Sequence, residues 1–223
     1  MITIVLSRYK RLRLFDEQYN SLLNQTLKPT EILICDNTTQ NLGVWARFSL
    51  ALMAKNEFVC VIDDDTIPGE NWLQNCYNEM IKEEGLYGTC GYTFKSNTHY
   101  QNNYFRTGWD NPNESKIQVD YVVHNWFFKK EWLKWYWSEI PDVKYWLCGE
   151  DMNFSYQLQK HGIKTFVPPH PIDNQSLWGS LKGWEYGVDE VSLYESNPEN
   201  FRDNMFEFFD NQVKKGWRLL NDK

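Results

Sequence analysis

The densest run of chemically capable residues in the chain is Asp63-Asp64-Asp65, at the end of the apolar run Phe58–Ile62. Alternate residues of an extended chain face the same side, so Asp63 and Asp65 point together while Asp64 points away. Two carboxylates held that close repel each other unless a cation sits nearby. Oxygen donors of this kind favour Mg2+ or Mn2+, ions that typically keep substrate phosphates among their ligands. The plainer reading is a solvated acidic turn leading into Ile67-Pro68-Gly69.

A second acidic pair, Glu150-Asp151, follows Cys148-Gly149 and opens a helix. Acidic residues there cap free N–H groups and suit the helix dipole with no catalysis needed. A carboxylate in that position can also take a proton from an acceptor hydroxyl. His170 lies between Pro169 and Pro171, which stiffen its approach. A neutral imidazole binds a transition metal, although a lone loop histidine is ordinarily just exposed. His99, His124 and His161 make weaker cases, and His161 reads as the basic end of a helix. Arg8, Lys10, Arg11 and Arg47 fall near expected strand ends. Surface charge accounts for such residues in general, and pairing with a diphosphate is the functional reading for Arg8 and Arg47.

The elements that must position these groups alternate. Ile2–Leu6, Glu31–Cys35 and Phe58–Ile62 are short apolar runs of the kind that form buried parallel strands. Helical spacing over Leu12–Gln25, Gly43–Ala54 and Glu70–Glu84 separates and follows them. The β-α-β-α-β-α order predicts an α/β fold with a doubly wound, mostly parallel sheet flanked by helices. Ligands bind beyond the carboxyl ends of such strands, and Ser7, Asp36 and Asp63 each follow one. Further on, Leu86–Thr93 and Val119–Phe128 read as strands, 94–115 as a long loop and Lys129–Trp137 as a short helix. Glu150–His161 reads as a helix, Thr165–Val167 as a strand, and Glu185–Leu220 as a helical tail interrupted near Pro198.

Composition bounds the partners. The 223 residues suit one sizeable α/β domain. We expect a single domain over 1–223, with a nucleotide-binding half (1–93), an acceptor and catalytic half (94–170) and a helical extension (171–223). A net charge of −7 argues against nucleic-acid binding, which needs a basic footprint. An acidic protein that handles a diphosphate needs a cation to do it. Eleven Trp supply a core, and a minority of them suit a groove that stacks on sugar C–H faces. The five Cys lack zinc-site spacing, and the odd count disfavours a disulfide framework. Reduced thiols in a cytoplasmic setting are expected. No stretch reaches a transmembrane span, which leaves peripheral membrane contact open. A Gly-x-Gly-x-x-Gly after the first strand is absent, which counts against a dinucleotide fold.

Together these segments resemble glycosyltransferase family 2, the nucleotide-sugar enzymes with the GT-A fold. The opening strand and Ser7–Arg11 turn, Ser21-Leu22-Leu23-Asn24-Gln25-Thr26, and Glu31–Asn37 resemble its nucleotide-binding segments in order. Asn41-Leu42-Gly43 with Ala46-Arg47, the Asp63–Asp65 triplet as its Asp-x-Asp metal motif, and Gly149-Glu150-Asp151 continue the match to about Val167. Asn37 and Phe48 depart from the usual pattern, as does an Asn-x-Gly segment one residue short.

The resemblance implies a metal-dependent, inverting transferase that moves a sugar from a nucleotide-diphosphate donor to a hydroxyl acceptor such as a glycan, in polysaccharide biosynthesis. It implies uridine diphosphate as the carrier and Mn2+ or Mg2+ as the cofactor. Asp65, Asp63 and His170 would hold the ion; Asp151, with Glu150 beside it, would supply the base. Ser7, Arg8, Asp36, Arg47, Asp63 and Asp64 would bind the nucleotide, and Trp126 and His124 would face the acceptor. The alternatives are a carbohydrate-binding module without catalysis and a sugar nucleotidyltransferase. An aspartate-nucleophile phosphotransferase fits neither register of the aspartate run.

Overall fold

A computed structural model describes residues 1–222. In chain order its elements are β1 (Ile2–Arg8), α1 (Leu12–Leu23), β2 (Glu31–Asp36), α2 (Ala46–Ala51), β3 (Phe58–Ile62), α3 (Trp72–Lys82), β4 (Gly85–Phe94) and β5 (Tyr104–Gly108). There follow β6 (Ile117–Val119), β7 (Tyr121–Lys129), α4 (Leu133–Tyr136), α5 (Glu150–Gln159), β8 (Lys164–Val167), α6 (Gly183–Tyr186), α7 (Leu193–Ser196) and α8 (Phe201–Lys214). The strands form one sheet in the order β2-β1-β3-β7-β4-β8-β6, with β5 paired to β4.

The first half follows the sequence expectation. β1 pairs in parallel with β2 and β3, and all five residues of β3 are buried, as a continuous apolar run requires. β7 then runs antiparallel between β3 and β4, so β4 and β8 regain the direction of β1–β3. The sheet is therefore mixed, with five of its eight strands, β1–β4 and β8, running in one direction. The antiparallel β7 brings residues from the chain's second half against the carboxyl end of β3.

Differences from the sequence reading have local causes. The helix expected over Gly43–Ala54 is confined to Ala46–Ala51, because Gly43 sits at φ +76 and breaks the helical path before it starts. A Cβ on Gly43 would lie 2.4 Å from the Trp146 carbonyl oxygen, so only glycine fits against that chain. The segment expected to be a loop, 94–115, contains β5, whose half-buried residues pair with the outer part of β4 and carry no clean alternation. The C-terminal tail is three helices, of which α8 is amphipathic: Met205, Phe208, Phe209 and Gln212 face inward at helical spacing.

The core is aromatic. Phe48, Trp126, Tyr136 and Phe154 pack ring to ring between α2, β7, α4 and α5. Offset and edge-on ring pairs such as these each add about 0.5–1.5 kcal/mol beyond their area. Most of the tryptophans seen there are core residues. All five cysteines are buried and unpaired. Among the described residues no helix is long and apolar enough to cross a membrane.

Candidate active site

The carboxyl ends of β1 and β3 open into a cavity of about 420 Å3. Its walls carry Ser7, Arg11, Arg47, the three aspartates of the triplet, His124 and Gly149–Asp151.

The triplet is held by its surroundings rather than by its own sequence. Gln18 of α1 donates to the carbonyls of Asp63 and Thr66, the latter at 2.6 Å. Thr66 Oγ1 donates to Asn125 Oδ1 at 2.8 Å, and Asn125 Nδ2 donates to the Gly179 carbonyl at 2.6 Å. The turn is thereby fixed from α1, β7 and the C-terminal segment together. Side chains of Asp63 and Asp65 converge, while Asp64 turns to Arg11 Nη1 at 3.0 Å.

The register of β7 on β3 pairs Ile62 with Asn125, and the Asp63 amide donates to the His124 carbonyl at 3.0 Å. His124 Nδ1 therefore lies 3.9 Å from Asp63 Oδ2 and 4.0 Å from Asp65 Oδ1. One donor atom from each of Asp63, Asp65 and His124 falls within 4.8 Å of the others. His124 has φ +75, a left-handed conformation costly for a side chain with a Cβ. The Trp109 ring meets it edge-on at 3.9 Å. Burial, with Arg47, Arg106 and Arg11 nearby, pushes its pKa down to about 3, so the ring is neutral and offers a lone pair.

These three residues fit a divalent transition ion. Two carboxylates and a neutral imidazole are a Mn2+-type donor set. The buried Asp65 Oδ1 has no hydrogen-bond partner, which is the state of an oxygen placed for a cation. Burial raises the pKa values of Asp63, Asp64 and Asp65; repulsion within the triplet adds to it at Asp63 and Asp64, and repulsion from Asp189 adds to it at Asp65.

Arg47 ties this cluster to α5. Its Nη1 pairs with Asp63 Oδ1, and its Nη2 with Glu150 Oε1 at 2.5 Å. Trp126 lies beneath, 4.6 Å from the guanidinium carbon. Gly149 precedes α5, and its φ of +83 lets the chain turn sharply so that Glu150 and Asp151 enter the first turn. Trp45 Nε1 donates to the carbonyls of Tyr145 and Cys148, which pins that approach to α2. Burial pushes the Glu150 carboxyl up to about 8 and that of Asp151 up to about 6. Neighbouring charge contributes in each case, Asp151 to the first and Asp63 to the second.

Gly149→Ala should be disruptive. A Cβ there would meet the Phe208 ring at 2.6 Å in a backbone region that L residues avoid. The expected loss is about 1–3 kcal/mol, read as a lower midpoint in urea or thermal unfolding, with activity falling further as α5 shifts. A variant as stable and active as the parent would mean that this turn does not set the position of Asp151.

The cavity gathers Ser7, Arg47, Asp63, Asp64, Asp65, His124, Glu150 and Asp151 from the sequence candidates. Arg8 and Asp36 are half-exposed and pair with each other at 3.3 Å, beside the cavity residues Ser7 and Asn37 but not in its wall. Trp126 does not face an acceptor: it is 1% exposed in the core, with Nε1 donating to Val122 O at 2.9 Å. Both faces of β7 are covered at that point, so alternation along the strand does not bring the ring to solvent.

His170 is likewise placed elsewhere. Its exposure is 0%, its ring stacks on Trp178, and Nε2 sits 3.1 Å from the Trp109 carbonyl oxygen. The stiff Pro-His-Pro segment serves packing, and His124 takes the position beside the aspartates that was expected of His170. Sequence reasoning passed over Arg11, treated as surface charge, and Asp189, which accepts from Arg11 Nε at 2.8 Å. It also passed over the aromatic wall that Tyr92, Tyr104 and Trp109 give the cavity.

Residues 37–137 match the family model described as glycosyl transferase family 2. No curated protein matches the chain in sequence. The fold is similar to that of S. aureus TarS, with a TM-score of 0.52 at 13% identity over 75% of this chain and 35% of that one. S. aureus TarS 1-349, solved in complex with UDP-GlcNAc, gives a TM-score of 0.51 at 13% identity over 78% of this chain and 60% of that one. The chain thus spans about a third of the longer of these neighbours.

Proposed function

We propose that this chain, a family 2 glycosyltransferase of GT-A fold, moves a sugar from a uridine-diphosphate donor to a hydroxyl acceptor such as a glycan, with a divalent ion and inversion at the anomeric carbon. The observation that carries this reading is the convergence of Asp63, Asp65 and His124 in the same cavity as Asp151. Uridine is supported by the fold shared with TarS, which was solved with UDP-GlcNAc.

Asp63, Asp65 and His124 would hold the ion, with Mn2+ favoured over Mg2+ by the imidazole. When bound, it offsets the charge that builds on the departing diphosphate. Ser7 and Asn37 of the cavity wall, with the neighbouring Arg8 and Asp36, would hold the base and ribose. Asp151 takes the proton of the acceptor hydroxyl as that oxygen attacks the anomeric carbon. The bond from that carbon to the diphosphate oxygen breaks, and its electron pair leaves with the diphosphate. Arg47 fixes Asp63 and Glu150 relative to each other, and so fixes the donor side relative to the base. Tyr92, Tyr104 and Trp109 offer ring faces and edges suited to an acceptor sugar.

The test is incubation with a panel of uridine-diphosphate sugars, Mn2+ and oligosaccharide acceptors, with products read by mass spectrometry. Transfer, or slow donor hydrolysis without acceptor, is expected. A carbohydrate-binding module would bind the glycan and ignore the nucleotide. Glycan binding without turnover of any nucleotide sugar would therefore refute the assignment.

A further inference from the structure

Three arginines line the cavity among the described residues. Arg47 is committed to Asp63 and Glu150 within the floor of the site, and Arg106 pairs with Asp110 at 2.7 Å beside the aromatic wall. Arg11 differs in where its partner comes from. It stands between β1 and α1, only 7% exposed, with Nη1 3.0 Å from Asp64 Oδ1 and 3.7 Å from Asp65 Oδ2. The rest of its fork is taken by Asp189, 178 positions along the chain: Nε to Oδ2 at 2.8 Å and Nη2 to Oδ1 at 2.5 Å. That two-pronged arrangement is also the one in which a guanidinium receives a phosphate.

Asp189 belongs to a segment that roofs the cavity. Its Oδ1 also accepts from the Val191 and Ser192 amides at 3.1 Å, shaping the turn into α7. Val188, Val191, Leu193 and Tyr194 of this segment line the cavity. Beyond α7, Asn197, Glu199 and Asn200 have φ of +45, +50 and +59. Three residues in the left-handed region within four positions, two of them asparagines that tolerate it, make an irregular joint between this segment and α8.

We propose that Arg11 is a diphosphate-binding residue of this site, and that Asp189 occupies on it the place a donor phosphate takes. This rests on the donor reading above. An incoming nucleotide diphosphate exchanges its phosphate oxygens for the Asp189 carboxylate and releases residues 187–197 from the roof. The exchange is ionic throughout, with no bond made or broken. The anion gains a preformed fork.

Asp189→Asn tests this, because an amide oxygen still accepts from Val191 and Ser192 while the competing charge is gone. Asp189→Ser is the second variant, with a hydroxyl that still caps the turn. Calorimetry with Mn2+ compares uridine diphosphate with uridine. Both variants should bind the diphosphate about ten-fold more tightly than the parent, the scale of one charge-assisted contact. Uridine affinity should not change. Glu190→Gln, an exposed neighbour outside the clip, should behave as the parent. In Arg11→Lys, which keeps the charge but loses the fork, diphosphate affinity should fall. Parent protein that binds the diphosphate while both Asp189 variants bind it equally or more weakly overturns this inference alone. No binding of the diphosphate by any form overturns the donor reading, and the inference with it.

Discussion

Asp151→Asn is expected to lower turnover by about 10²–10⁴-fold, the usual contribution of one positioned general base, while leaving donor affinity close to the parent's. The substitution keeps the size and shape of the side chain at the start of α5. An amide oxygen can still accept from the Met152 amide, as Asp151 Oδ1 does at 2.6 Å. Only the capacity to take a proton is lost. A pH profile adds a second reading. Burial raises the Asp151 carboxyl to about 6, with Asp63 adding to it and Arg47 opposing. A base works only when ionised, and an acid with a raised pKa ionises later. Parent kcat/KM should therefore climb as pH rises toward about 6, with the limb moved lower by the field of a bound ion, and the residual rate of the variant should lack that limb. Glu150 is the rival base on the same turn. Its carboxylate is 8% exposed, bound by Arg47 and pushed up to about 8, so Glu150→Gln should disturb Asp63 and the donor side as well. Full turnover in Asp151→Asn, with loss in Glu150→Gln, would move the base to Glu150.

How much of this was legible in the sequence depends on how far apart the interacting residues lie. Asp63 and Asp65 could be placed on one side from alternation alone, and the start of α5 from Gly149 and the acidic pair after it. Those are local properties of the backbone. The third member of the cluster was not local. His124 reaches the aspartates because β7 runs antiparallel to β3 and because its own backbone is left-handed, neither of which leaves a mark in nearby residues. The sequence points instead to His170, whose flanking prolines are visible in it but whose ring is packed against Trp178. Trp126 failed for a related reason. A tryptophan on a strand looks like a binding surface until both faces of the strand are known to be covered. Arg11 and Asp189 are a pair across nearly the whole chain. The available signal was electrostatic: an arginine shortly after β1, at the sheet edge where three aspartates cluster, is drawn into that field rather than left in solvent.

Chelation should abolish transfer, and Mn2+ should restore it; Asp65→Ala should lower transfer by about 10²–10³-fold at saturating Mn2+. The charge balance gives the reason. Asp63, Asp64, Asp65, Glu150, Asp151 and Glu195 line one cavity together with Arg11, Arg47 and Arg106, while His124 is neutral. Excess negative charge in a poorly hydrated space leads the group either to bind protons or to bind a cation. The raised values at Asp63, Asp64 and Asp65 express the first outcome. A divalent ion provides the second and keeps Asp151 ionised at neutral pH through the field it adds. It also lets an anionic donor approach carboxylates that would otherwise repel it. Loss of Asp65 removes an unpartnered Oδ1 and only a 3.7 Å contact of Oδ2 to Arg11, which keeps Asp64 and Asp189, so the variant should fold normally and still bind the ion poorly. Mn2+ should raise the thermal midpoint of the parent by mass action and shift that of Asp65→Ala much less. His170→Gln should retain the full Mn2+ shift, since its ring lies outside the cluster. Undiminished transfer by protein stripped of divalent ions would show that Arg11 and Arg47 alone carry the leaving charge, and the aspartate cluster would then need another purpose.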